Sequence, residues 1–434
     1  MSRPDVITFR EWEKKSYGKD ITEQQVRRIE EASNRLTGKA ENSDKLHIFD
    51  FFRHDMRARN YVGVVSAGGT TVEILPKTHE SDARSLAYLL ALLGYTRKLR
   101  TNVGEAVDLG EHRGSFLEVW ISYFASELNH LLRTSYRQRY VEIEERSSFV
   151  RGKLLTERDL DGRSNIYARY PCRYEIFTPD HLLNRALKFC NKLLIGQTIS
   201  PNSRAILRQN DILLADVEDV PVLAKDLRRI HLDRLDREYD QILELCRLLL
   251  ENSTLDLRAG RITQLAIVLD MNKLFEEFIV GFLRQNRENI LIGGSPLEEV
   301  KTKQNLGALF GEFRMEVNII LHAGDQSFLL DTKYKVLGEE GNHNGLSQSD
   351  FYQMYAYLRA GASRYDGVIL LYPKTEASPE DEVFVNPADE ARLFVCTVDT
   401  VKCHDGRGNV GKGDVTRQLN AAFGRMGSAR GVTA

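Results

Sequence analysis

The strongest constraint on how this chain folds is a glycine-aspartate pair, Gly324-Asp325, set between two runs of apolar and β-branched residues. Glycine in the first position of a two-residue loop favours a tight β-hairpin. If these two residues form the loop, Asn318 lies opposite Asp331. The spacing therefore predicts that polar side chains from two neighbouring strands meet near the open end of the hairpin.

The end of the predicted second strand carries an acid and two lysines on one side. Side chains alternate between the faces of a strand, so Asp331, Lys333 and Lys335 share one face. Phosphodiester hydrolysis uses such groups, because carboxylates hold Mg²⁺ and a lysine beside the metal orients water and stabilises charge on the phosphate. A lysine-aspartate pair on a solvated sheet face is the alternative interpretation. The apolar run at residues 328–330 favours the functional one, since it predicts a buried strand.

Composition excludes several classes of protein. The chain has 434 residues, 42% of them hydrophobic, which predicts two or three domains. The net charge of -2 excludes a uniformly basic DNA-binding surface. Five cysteines without a C-x-x-C pair argue against a zinc ribbon or a disulfide framework. No stretch reaches the roughly 18 apolar residues of a membrane span, so we expect a cytoplasmic protein with no membrane partner.

Periodicity along the chain gives a coarse organisation. Residues 61–65 and 71–75 flank paired glycines, which predicts a second hairpin within a mixed α/β N-terminal part. Apolar residues at helical spacing follow, and residues 181–250 read as mainly helical. The glycine-rich sequence from residue 406 to the end predicts a flexible tail.

Four segments together resemble the McrC-like nuclease subunits of McrBC modification-dependent restriction systems, within the PD-(D/E)XK superfamily. Residues 330–335 are similar to the third motif of that family. Residues 317–321 stand where the family has proline and aspartate followed by apolar residues. Residues 270–278 resemble the helix that carries the first-motif glutamate, here Glu276, and residues 353–357 resemble the Q-x-x-x-Y helix.

The resemblance implies an α/β fold in four parts. These are an N-terminal mixed α/β domain that docks on a partner (1–155), a helical scaffold (156–265), a PD-(D/E)XK core with a mixed central sheet flanked by helices (266–405), and the flexible glycine-rich tail (406–434). The catalytic residues that it implies are Glu276, Asn318, Asp331, Lys333, Gln353 and Tyr357. The metal ligands that it implies are Asp331, Asn318, Glu276 and Thr332.

The resemblance also implies a reaction and partners. The metal would be Mg²⁺, with Mn²⁺ as a substitute, and the substrate would be double-stranded DNA that is methylated or otherwise modified. The partner would be a hexameric AAA+ GTPase of the McrB type, whose GTP turnover this chain would stimulate. The chain has no Walker A glycine-lysine loop, so GTP would act only through that partner. Dimerisation through the nuclease domain is a further expectation.

One departure from the family pattern affects activity directly. Asn318 stands where the family has its second-motif aspartate, and Val317 stands in place of the preceding proline. An amide keeps the shape of a carboxylate but loses its charge, so it binds Mg²⁺ less well. The departure has three explanations: an isosteric inactivating substitution, a naturally weakened nuclease, or a carboxylate supplied instead by Glu316.

Two other functions fit the same sequence. A non-catalytic adaptor would activate the AAA+ motor and retain only a nuclease-like fold, and Asn318 is its best support. A stand-alone repair or resolvase nuclease would cleave with metal and DNA alone.

Overall fold

The computed structural model describes residues 5–39, 47–67, 69–78, 82–96, 115–155, 170–234, 236–256, 261–309, 312–338, 345–360, 365–375, 378–399 and 412–428. The chain divides into two compact units. The first unit combines Met1–Phe116 with Ala266–Ala434, and the second is Leu117–Leu265. The sequence predicts four parts instead, and the boundaries of those parts stay predictions.

The N-terminal part of the first unit is mixed α/β. Its described elements are β1 (Asp5–Arg10), β2 (Lys14–Ser16), α1 (Glu23–Lys39), β3 (Phe49–Phe51), β4 (Asp55–Ala58), β5 (Tyr61–Ala67), β6 (Thr70–Leu75) and α2 (Asp82–Tyr95). β1 pairs in parallel with β6, and β2, β4 and β3 form a small antiparallel sheet. The hairpin predicted around the paired glycines is confirmed, because β5 and β6 are antiparallel with Ala67 opposite Thr70.

The second unit is mainly helical. Its described elements are α3 (Phe116–Thr134), β7 (Arg139–Ser147), β8 (Lys153–Leu154), β9 (Tyr170–Thr178), α4 (Leu182–Ile195), α5 (Pro201–Leu213), α6 (Ala224–Leu227), α7 (Asp240–Asn252) and β10 (Thr254–Asp256). Within this unit, the buried Lys188 on α4 donates to the carbonyl oxygens of Leu214 (3.0 Å) and Val217 (2.6 Å). Lys188 is therefore a buried donor to two carbonyl oxygens that follow α5, one of which, that of Leu214, also accepts from the Val217 backbone nitrogen at 3.1 Å.

The C-terminal part of the first unit contains a mixed sheet. The described elements from β11 onward are β11 (Arg261–Asp270), α8 (Met271–Gln285), β12 (Leu291–Ile292), β13 (Ser295–Pro296), β14 (Glu299–Leu309), β15 (Phe313–Ala323), β16 (Gln326–Thr332), α9 (Gln348–Ala360), β17 (Gly367–Pro373), β18 (Glu382–Val385), β19 (Arg392–Val398) and α10 (Lys412–Ser428). The sheet has the order β14-β15-β16-β17-β19-β18, with β16, β17 and β19 parallel. All residues of β17 are buried, as expected for a central parallel strand covered on both faces.

The central hairpin has the predicted register. β15 and β16 are antiparallel, with Ile319 opposite Leu330 and Ala323 opposite Gln326. Gly324 occupies the turn with φ +56°, a conformation that glycine adopts without strain. The same register, continued by one residue, places Asn318 opposite Asp331.

The expected flexible tail is wrong for residues 412–428, which form α10. Val415, Leu419, Phe423 and Met426 are buried along one side of this helix. Their spacing of three and four residues outweighs the glycines that suggested flexibility. Residues 406–411 and 429–434 lie outside the described residues.

No helix among the described residues is long and apolar enough to cross a membrane.

Close packing of α2 on α8 leads to a first prediction. A Cβ atom added at Gly281 would lie 2.0 Å from the carbonyl oxygen of Tyr95, whose ring packs on Phe278 and Phe282. We expect Gly281→Ala to destabilise the protein by about 1–3 kcal/mol or more, because the two helices must separate. Gly94 on α2 has no atom within 4 Å of such a Cβ, so Gly94→Ala should be neutral or stabilising. Melting temperatures test this, and equal shifts for the two variants would contradict it.

Candidate active site

A helix and a strand meet at Glu276 and Asn318. The Asp270 side chain caps the start of α8 by accepting from the backbone nitrogen of Asn272 at 2.9 Å. The helix then buries one apolar face, which holds the half-buried Glu276 beside β15. Asn318 Nδ2 donates to Glu276 Oε2 at 3.2 Å. The side chains of Glu276 and Asn318 therefore lie side by side, as the sequence predicts.

The end of β16 contributes Asp331, and Lys333 follows directly after the strand. Asp331 is only 3% exposed at the end of β16, where it pairs with Leu370 of β17. Lys333 Nζ lies 2.7 Å from Asp331 Oδ2 and donates to Gln353 Oε1 at 3.0 Å. Gln353 Nε2 in turn donates to the Tyr357 hydroxyl at 2.8 Å. Hydrogen bonds thus connect Tyr357 and Gln353 on α9 to Lys333.

Burial and neighbouring charges act on both acids. Burial raises the pKa of Asp331, the ammonium of Lys333 opposes this rise, and the charge of Asp350 adds to it. Burial also raises the pKa of Glu276, and the charge of Asp331 raises it further. The two carboxylates are therefore close enough to repel each other, a repulsion that a divalent cation between them would relieve.

The donor set suits a hard cation and combines two carboxylates with one neutral amide. Among the described residues, no three histidine, cysteine, aspartate or glutamate side chains gather as a metal site. What does gather is two carboxylates, Glu276 and Asp331, with the amide of Asn318. Oxygen donors of this kind are the ligands of Mg²⁺ and Mn²⁺. Asn318 directs its nitrogen at Glu276, so its oxygen is the atom that could face a metal.

The expected ligand Thr332 is placed differently from the others. Its side chain alternates with those of Asp331 and Lys333, and its hydroxyl is buried with no hydrogen-bond partner among the described residues. Its part in metal binding stays a prediction. Glu316, the proposed substitute carboxylate, is exposed and lies opposite Asn305 on β14.

Asp350 belongs to the site and was missed in the sequence. It is buried near the start of α9, one helical turn before Gln353. Its Oδ2 accepts from Lys335 Nζ at 2.7 Å and from the Tyr372 hydroxyl at 3.4 Å, and its Oδ1 lies 4.0 Å from Lys333 Nζ. The helical spacing to Gln353 was a signal that could have found it.

Glu11, in the N-terminal part of the unit, contacts the segment that directly follows β16. Its side chain is 3% exposed, and its Oε2 accepts from the buried Tyr334 hydroxyl at 3.0 Å and from the Lys77 backbone nitrogen at 3.2 Å. Tyr334 follows Lys333 directly in the chain. The N-terminal sheet therefore helps to fix the segment that carries the candidate lysine.

Glu11 leads to a prediction about pH. Burial raises the pKa of Glu11 from 4.5 to about 7, with Lys77 opposing the rise and Asp270 adding to it. The folded chain thus holds this proton more tightly than the unfolded chain, so Glu11 makes stability fall as pH rises from about 4.5 to 7. Glu11→Gln keeps an acceptor for Tyr334 and removes the charge. We expect it to match the wild type near pH 5 and to be more stable at pH 8, by at most about 3 kcal/mol.

Thermal unfolding of both proteins at pH 5 and pH 8 measures this difference. Tyr334→Phe, which removes the hydrogen bond, should instead lower stability at both values. A Glu11→Gln effect of the same size at the two pH values would contradict the buried-carboxyl explanation.

Comparison with known families shows to which family this chain belongs. A family model described as "McrBC 5-methylcytosine restriction system component" matches residues 56–373, a range that includes Glu276, Asn318, Asp331 and Lys333. The chain belongs to this family. The McrC-like resemblance indicated by the sequence motifs is therefore confirmed. No curated protein matches the sequence of this McrBC-family chain.

Two solved structures are similar to the McrBC-family chain. The first is a chain of the refined half-complex from the tetradecameric assembly of Thermococcus gammatolerans McrB AAA+ hexamers with bound McrC. It has a TM-score of 0.67 at 19% identity, over 96% of this chain and 99% of that chain. The second is a chain from the cryo-EM structure of the Thermococcus gammatolerans McrBC complex. It has a TM-score of 0.49 at 20% identity, over 65% of this chain and 88% of that chain. The first match shows that the α/β fold is shared along almost the whole chain.

Proposed function

We propose that this chain is the DNA-cutting subunit of a restriction complex of the McrBC type, with a PD-(D/E)XK nuclease core. The observation that carries the proposal is the convergence of Glu276, Asn318, Asp331 and Lys333 from one helix and two paired strands. Family membership supports it, since the match covers all four positions.

The residues have distinct roles in the proposed hydrolysis. The Glu276 and Asp331 carboxylates and the Asn318 amide oxygen would hold Mg²⁺. When bound, the metal supplies a Lewis acid for the phosphate and a lowered pKa for its water. Lys333 would orient the attacking water and stabilise negative charge on the phosphate oxygens. Gln353 keeps the ammonium of Lys333 in place, and Tyr357 holds Gln353.

A motor partner completes the proposal. The similar solved structure contains McrB AAA+ hexamers with bound McrC, and this chain carries no Walker A loop of its own. We therefore assign GTP binding, and with it the recognition of modified DNA, to an AAA+ partner. Stimulation of that partner's GTP turnover would be the second activity of the chain.

The experiment mixes the full chain with an AAA+ GTPase of the McrB type from the same organism. We expect GTP turnover to rise, and methylcytosine-containing duplex DNA to be cut when Mg²⁺ and GTP are both present. A chain that leaves GTP turnover unchanged, and that cuts DNA with metal alone, would replace this proposal with the stand-alone nuclease.

A second candidate function is the non-catalytic adaptor, which Asn318 favours because it removes one charged ligand. The adaptor would raise GTP turnover normally yet leave DNA intact, even after Asn318→Asp. The nuclease proposal requires cleavage in that variant.

A further inference from the structure

Lys303 has a backbone conformation that is unusual for its residue type. It lies within β14 with φ +52°, in the left-handed region, and its side chain is exposed. This conformation costs an L-residue roughly 1–2 kcal/mol. Asparagine and aspartate tolerate it by hydrogen bonding to nearby backbone, which a lysine side chain does not do in the same way. Strain of this kind is concentrated at functional sites.

The strained residue lies directly beside the candidate site. Thr302 pairs with Ile319 and Gln304 pairs with Val317, so Lys303 is across from Asn318. The helix that carries Glu276 lies along the same part of β14. Arg284 of that helix donates to the Val300 carbonyl oxygen at 3.2 Å and contacts Thr302 Oγ1 at 3.3 Å.

Charge also connects Lys303 to the site. Its ammonium lowers the pKa of Glu276 and so opposes the effects of burial and of Asp331. Across the part of the chain that the structure describes, this ammonium forms no ion pair. An exposed cation at the edge of an acidic site would offset the repulsion that the carboxylates exert on an approaching phosphate.

We propose that Lys303 is a catalytic residue that binds a DNA phosphate beside the metal site. The assignment rests on the proposed function, because it needs DNA at Glu276 and Asn318. It adds β14 to the elements that carry the proposed site residues, which are α8, β15 and the end of β16. The left-handed backbone is then retained for the position that it gives the ammonium rather than for stability.

Three variants of the full chain separate charge from backbone strain. Lys303→Asn removes the charge and suits the left-handed conformation, Lys303→Arg keeps the charge, and Lys19→Asn removes an exposed lysine from an N-terminal turn as the control. Binding of a fluorescent methylcytosine-containing duplex to each protein in complex with the AAA+ partner is measured by anisotropy with Ca²⁺, over a range of salt concentrations. Melting temperatures are measured on each protein alone.

We expect Lys303→Asn to weaken DNA binding about fivefold and to reduce the slope of log K against log salt by about 1, as for one lost phosphate contact. Its melting temperature should be unchanged or higher. Lys303→Arg and Lys19→Asn should keep the wild-type slope. Unchanged binding by Lys303→Asn, or an equal loss in Lys19→Asn, would overturn the assignment. Failure of every protein to bind DNA with the AAA+ partner present, the wild type included, would instead contradict the proposed function itself.

Discussion

Asn318→Asp should raise Mg²⁺-dependent DNA cleavage, measured with the AAA+ partner and GTP, by about a hundredfold or more. The substitution replaces an amide that donates to Glu276 with a third carboxylate beside Glu276 and Asp331. Carboxylates bind Mg²⁺ better than amides do, and electrostatic groups at a reaction centre each contribute roughly 10²–10³ in rate. The gain follows from restoring the charge that the family pattern has at this position.

The same variant should respond to metal in its stability. Without metal, three neighbouring carboxylates repel one another, so the melting temperature should fall below that of the parent protein at neutral pH. Added Mg²⁺ should reverse the loss. Asn289→Asp is the matched control, because it adds the same charge at an exposed position beyond the C-terminal end of α8, more than two helical turns from Glu276. Equal cleavage by the parent protein and Asn318→Asp would mean that position 318 does not limit activity.

Lys333→Met should reduce cleavage about 10²–10³-fold when tested in the Asn318→Asp protein. The substitution removes the ammonium that lies 2.7 Å from Asp331 and 3.0 Å from Gln353, and with it the cation proposed to stabilise charge on the phosphate. Metal binding should survive or strengthen, because the site becomes more negative. A residue with a purely structural role would lose metal binding together with cleavage.

Lys335→Met is the control for this second prediction. Lys335 lies in the irregular segment after β16, two residues from Lys333, and is paired with Asp350 at 2.7 Å rather than with Asp331. We expect it to keep most of the cleavage activity. If the two variants lose similar amounts of cleavage activity, the loss comes from the general positive charge near the end of β16 and not from Lys333 itself.

Local signals explain what could be predicted from the sequence. The hairpin depends on Gly324 and on two apolar runs, and the alternation of side chains then determines its register. The same alternation put Asp331, Lys333 and Lys335 on one strand face. β16 instead ends at Thr332, where the backbone nitrogen of Lys335 donates to the Lys333 carbonyl oxygen, yet Lys333 still lies 2.7 Å from Asp331. Turn chemistry and strand period operate within a few residues, so one sequence contains enough information to apply them.

Contacts between distant segments explain what could not be predicted from the sequence. Glu11 reaches Tyr334 across 323 residues of sequence, and no local pattern indicates that partnership. The left-handed backbone of Lys303 is equally invisible, since lysine does not favour it. In α10, by contrast, the signal was present at Val415, Leu419 and Phe423, but the surrounding glycines concealed it.

We propose one site at which the side chains at 276, 318 and 331 would surround a divalent cation. Its most direct test is a titration of Mn²⁺ into the Asn318→Asp protein, followed by electron paramagnetic resonance, beside the same protein carrying Asp331→Asn or Glu276→Gln. We expect the Asn318→Asp protein to bind a single Mn²⁺ ion, and each further substitution to weaken that binding at least tenfold. Mn²⁺ affinity that is the same in all three proteins, or absent from all of them, would contradict the claim.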